Sequence, residues 1–189
     1  MTPRRLKLIL LLAGLALSGL VLLGWTQTWF LVTIVDGPTL GVAGDVAAPA
    51  LSTLALTCLV LTGALSIAGP FFRVVLGVLE ALLGVTVVLS GALALAHPVS
   101  SSAAVVSDAT GVAGAESIAA LVASVSITAW PWVATVAGSL LVLLGVAVVA
   151  TATRWPGSGR KYSAVRLAST EKRDAVDDWD ALSEGNDPT

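Results

Sequence analysis

The chain has 189 residues, 56% of them hydrophobic and only 12% charged, with a formal net charge of −2 and a mean hydropathy of +0.93. Soluble domains carry about 25% charged residues, so this composition excludes an ordinary water-soluble core and points to an integral membrane protein. One cysteine, Cys58, excludes an intrachain disulfide and any multi-cysteine metal centre; inside an apolar run it reads as a small buried side chain.

Arg4, Arg5 and Lys7 precede an apolar run that ends in GWTQTWF. A signal peptide begins in the same way. Here, however, Trp25 and Trp29 stand where a signal peptidase needs small residues, so the run is expected to stay as a first span over about 6–24. Both tryptophans are then expected at the far interface, rings among the headgroups. Trp29 to Val35 is rich in β-branched and aromatic residues, Asp36-Gly37-Pro38 is a turn signal, and Thr39 to Val42 could return. The segment fits a small external β-hairpin and a loop on the bilayer surface equally well. Asp36 and Asp45 read as solvated acids.

Pro49 suits the first turn of a second span over about 50–69. Pro70 to Arg73 makes so short a connection that the second and third spans must form an antiparallel hairpin in direct contact. The third span, about 74–96, holds one charge, Glu80. Gly77, Gly84 and Gly91 recur every seven residues, so one helical stripe is small and carries the acid. That stripe must face protein, because small residues let backbones approach and an ionised group in lipid costs about 3 kcal/mol on insertion scales. Counted from the connection, Thr62, or Ser66 one turn nearer the cytoplasm, is the expected hydrogen-bond partner of Glu80 across the hairpin.

His97-Pro98 closes the third span, and the lone histidine reads as interfacial. The second external segment, Val99 to Trp132, contains no Lys or Arg; its first half reads as mobile and Ser117 to Ala129 as a short surface helix or strand. Trp130-Pro131-Trp132 opens a fourth span over about 133–153, ended by Arg154 and Trp155. An aromatic belt is the expected role of these tryptophans. All ten basic residues precede the first span, join the second to the third, or follow the fourth. The excess of Lys and Arg on the cytoplasmic side then predicts four spans in the cell membrane with both termini inside.

The tail, 156–189, begins basic and ends in DAVDDWDALSEGNDPT, which has acids and no base. Gly157 to Lys161 lacks the spacing of a phosphate-binding loop and reads as a linker. Ala175, Trp179 and Leu182 fall at i, i+4 and i+7, one face of a short helix over about 171–183. Anionic lipid repels such an acidic helix, so its apolar stripe is expected to dock on protein, either this chain's own basic segment or a partner in the membrane or the cytoplasm. RWPGSGRKY after the last span and DDWDALSEGNDPT at the end resemble the actinobacterial tryptophan-associated transmembrane family, and GDVAAPALSTLAL resembles it more loosely. The resemblance implies an association with tryptophan biosynthesis, and carries over no catalytic residue.

The fold expected is therefore an all-α four-helix transmembrane bundle with a cytoplasmic tail. No catalytic, metal-ligand, cofactor or nucleic-acid motif is visible, so a non-enzymatic interaction or assembly protein is the leading reading. A small-solute or proton-linked transporter using Glu80 is the alternative. Beyond the bilayer and a protein partner, the sequence leaves self-association open.

Overall fold

The computed structural model describes residues 2–155. Among the described residues, four single helices are long and apolar enough to cross a membrane: α1 (Pro3–Thr26), α3 (Ala50–Ile67), α4 (Pro70–Ala96) and α8 (Trp130–Thr151). Proline in the first turn of α1, α4 and α8 starts each helix at a point where its missing N–H costs nothing. The protein is thus the four-span helical membrane protein that the hydropathy anticipates.

Buried positions repeat at alternating steps of four and three: Leu51, Ala55, Cys58, Thr62 and Leu65 on α3, and Arg73, Gly77, Glu80, Gly84, Val87, Gly91 and Ala94 on α4. That period is the one that keeps a seam facing a neighbour in left-handed helix packing. Contacts run α1 to α3, α3 to α4, α4 to α8 and α8 back to α1, closing a ring of four. The opposite faces present Leu8, Leu12, Val60, Leu82 and Leu143 outward, as lipid solvent requires.

Between the spans the chain builds a cap over one end of the bundle. Strands β1 (Thr28–Ile34) and β2 (Thr39–Ala43) form an antiparallel hairpin, and the one-turn helix α2 (Gly44–Ala47) leads on to α3. After α4 come α5 (Pro98–Ser101), α6 (Ala103–Thr110) and α7 (Ala115–Leu121), then strand β3 (Val122–Ile127), which pairs antiparallel with the free side of β1. The sheet order is β2-β1-β3. Phe30, Val32 and Val42 turn inward and join Val21, Leu51, Val87 and Ala134 from the helices in one core. A short 3₁₀ turn, Ala152–Arg154, follows α8 at the other end.

Several expectations are corrected. The residues Pro70 to Arg73 are the first turn of α4, not a connection; only Ala68 and Gly69 join the two helices. The half of the second inter-span segment expected to be mobile forms α5 and α6, because Val106 gives this small-residue stretch an anchor at 0% exposure. Ser117 to Ala129 is helix first and strand second. Trp29 is not in the headgroup belt: it is fully buried in the cap, and its indole N–H donates to the Gly24 carbonyl at 2.8 Å. Trp155 is likewise buried, whereas Trp132 is exposed and suits the belt. The tail 156–189, with Ala175, Trp179 and Leu182, lies outside the described residues.

Candidate functional site

Glu80 sits in the middle of α4 with no exposed surface. What brings it into the core is the glycine stripe around it. A Cβ on Gly84 would lie 2.7 Å from the backbone nitrogen of Val142, and one on Gly145 would lie 2.5 Å from the backbone nitrogen of Ala81. Helices α4 and α8 therefore touch backbone to backbone, as small residues at a membrane interface allow. Gly77 meets Val148 and Gly84 meets Gly138, so the two helices run antiparallel, with Gly145 level with Glu80 and Ala81.

The third wall is α3. Starting α4 at Pro70 places Glu80 ten residues in, roughly 15 Å from the helix start. Cys58 is nine residues back from the end of α3, about 14 Å, and is level with the acid; its side chain is buried. Thr62 is only about 8 Å from that end, a turn nearer to the α3–α4 connection. It is buried, but it packs on α1, where a Cβ on Gly14 would come 2.7 Å from its Oγ1.

Neither expected hydrogen bond to Glu80 forms. Thr62 is offset by that turn and aimed at Gly14, and its Oγ1 has no partner. Ser66 is on the exposed face and donates to the Gly63 carbonyl at 2.7 Å. Both carboxyl oxygens of Glu80 lack a hydrogen-bond partner among the described residues. The sequence missed Cys58 as the level neighbour because the depth of Glu80 was counted from Arg73; the proline at position 70, a helix-start signal, could have corrected the count.

A second assembly, at the end away from the cap, was legible only as topology. Arg73 is 3% exposed and its Nη1 donates to the carbonyls of Ala152 and Trp155, each at 3.3 Å. Its guanidinium carbon lies 5.2 Å from the centre of the Trp155 ring, and the Lys7 ammonium lies 5.9 Å from it. Lys7 also donates to the Ser66 carbonyl at 2.7 Å, and the Trp155 indole donates to Thr151 Oγ1 at 3.1 Å. Cation–π attraction thus joins the starts of α1 and α4 to the end of α8. Replacing Trp155 with alanine is expected to destabilise the bundle by about 3–5 kcal/mol, seen as earlier unfolding in a denaturing-detergent titration; an unchanged midpoint would show the stack to be incidental.

Taken together, these features define a four-span membrane bundle capped by a three-stranded sheet, with a buried carboxyl at its centre and a cation–indole stack at one end. The model of the tryptophan-associated transmembrane protein family matches residues 10–189, and the chain belongs to that family. No curated protein matches the chain. No solved structure matches it.

Proposed function

We propose that the protein is a non-enzymatic component of the cell membrane that holds or assembles protein partners, with both termini in the cytoplasm. The observation that carries the reading is the unbroken passage of α4 past Glu80 in backbone contact with α8. Many secondary transporters build their sites from interrupted helices that line a cavity, and α4 is continuous over 27 residues. What remains for recognition is the cap, the lipid-facing sides and the tail. The family's description ties the chain to tryptophan, and an accessory role beside tryptophan metabolism in the membrane is consistent with it.

Charge supports the orientation. Arg4, Arg5, Lys7, Arg73 and Arg154 gather at one end, whereas the cap segments carry Asp36, Asp45, Asp108 and Glu116 and no Lys or Arg. With the cap outside, cysteines placed at Thr39 and Ser126, both exposed, are expected to react with a membrane-impermeant thiol reagent on intact cells, and one at Thr2 only after lysis. Cys58 is buried and stays silent. The reverse pattern would invert the topology.

The tail supports the partner. In sequence, Ala175, Trp179 and Leu182 share one helical face among acids, and tryptophan is enriched among residues that dominate binding energy. Trp179→Ala combined with Leu182→Ala is expected to leave membrane insertion intact and to cut recovery of crosslinked protein partners at least tenfold. Equal recovery with the wild type would remove the tail from the interface.

A further inference from the structure

We propose that the centre of the bundle is a proton-binding site, with Glu80 as the acceptor and Cys58 as the polar side chain that α3 places level with it. The argument is one of chemistry around a buried acid. Glu80 has no exposed surface, and neither carboxyl oxygen has a hydrogen-bond partner among the described residues. A carboxyl so placed needs a counter-cation, a set of donors, a metal ion or a proton.

The neighbouring elements supply none of the first three. Between Trp130 and Thr151, α8 has no titratable side chain, and at the level of Glu80 it offers Gly145. On α1 the buried polar side chain is Ser18, whose hydroxyl is donated to the Gly14 carbonyl at 2.8 Å, and the nearest charge is Lys7 at the helix start, engaged with Ser66 and Trp155. Within α4 the nearest charge is Arg73, two turns and roughly 10 Å away, turned to the carbonyls of Ala152 and Trp155. From α3 the buried Cys58 thiol is level with the acid, whereas the Thr62 hydroxyl, also buried, faces Gly14 of α1 a turn away. A metal cation of the kind carboxylates bind wants about six oxygens; the side chains at this level offer the two of Glu80, and no group of three His, Cys, Asp or Glu residues gathers among the described residues. The helices around the site are continuous, so their carbonyls are committed to helical hydrogen bonds. A proton is the ligand the site can hold: it removes the charge that burial penalises and leaves the carboxyl neutral beside the level Cys58 thiol.

The test is infrared spectroscopy of the full chain reconstituted in lipid bilayers. The expected result is a carbonyl band of a protonated carboxyl that shifts in D₂O, is absent from Glu80→Gln and is insensitive to saturating sodium chloride. Should Glu80→Gln fail to fold, Glu80→Asp, which keeps the acid and shortens its reach, is expected to keep one such band at a changed frequency. Absence of the band from the wild type overturns the proposal. So does its replacement by carboxylate bands on adding sodium, which would make the site a cation site.

Discussion

Gly84→Leu and Gly145→Val are each expected to break the pairing of α4 with α8 and to destabilise the bundle by about 3 kcal/mol or more. The reason is what the new side chains meet. At Gly84 the added Cβ falls 2.7 Å from the Val142 nitrogen and 2.9 Å from the Gly138 carbonyl oxygen; at Gly145 it falls 2.5 Å from the Ala81 nitrogen and 2.6 Å from the Gly77 oxygen. All are backbone atoms of a packed helix, which cannot swing aside like the end of a flexible side chain. Relief requires the whole helix to move, and that movement would uncover Glu80. Gly19→Ala and Gly63→Ala are the controls, since a Cβ at either position meets nothing within 4 Å. Both controls should hold or raise stability, because alanine is better by about 1 kcal/mol in a helix interior. Unfolding midpoints in a denaturing detergent check the contrast; equal midpoints for Gly84→Leu and Gly63→Ala would refute direct backbone contact.

Trp29→Ala is expected to unfold the cap and leave the spans in place. The indole is fully buried, meets Phe30 edge to face at a centroid distance of 6.4 Å, and satisfies the Gly24 carbonyl. Removing it costs about 3–5 kcal/mol in packing and leaves that carbonyl without its side-chain donor. A single small sheet has little stability to lose. Limited proteolysis from the cap side should therefore cut between 28 and 48 in the variant and not in the wild type, while far-ultraviolet circular dichroism keeps the helical signal of the bundle. Trp132→Ala is the comparison: at 58% exposure it should change neither reading.

The spans were legible because lipid as solvent imposes a continuous apolar run on every crossing helix, and Gly77, Gly84 and Gly91 announced a close interface. Their partner was equally written in Gly138 and Gly145, which repeat the same step of seven on α8. Depth was harder to read. A shift of three residues in the origin of the count, from Arg73 to Pro70, moved Glu80 by about 5 Å and put Cys58 in place of Thr62 as the neighbour on α3. Trp29 was misread for a different reason. A tryptophan a few residues beyond a span fits the interface by composition alone, whereas the irregularity between Thr28 and Phe30 in β1 lets two successive residues, Trp29 and Phe30, both turn inward. Period-two alternation carries no sign of that bulge. The third strand was half visible, since Val122 to Ile127 alternates weakly and its pairing partner lies far away in sequence.

The central position of β1 imposes an order on how the molecule is made. Its hairpin with β2 is local and can close as soon as the first span has crossed. Its other edge waits for residues 122–127, which emerge only after α3 and α4 have been threaded through the bilayer. When β3 arrives, Thr128 fastens to the carbonyls of Thr28 and Trp29, through its hydroxyl at 2.7 Å and its amide at 2.9 Å. The segment just after the first span is thereby buckled to the one just before the last. Until that buckle fastens, the edge of β1 stands open to any extended segment nearby, a vulnerable interval that lasts as long as the two middle spans take to insert.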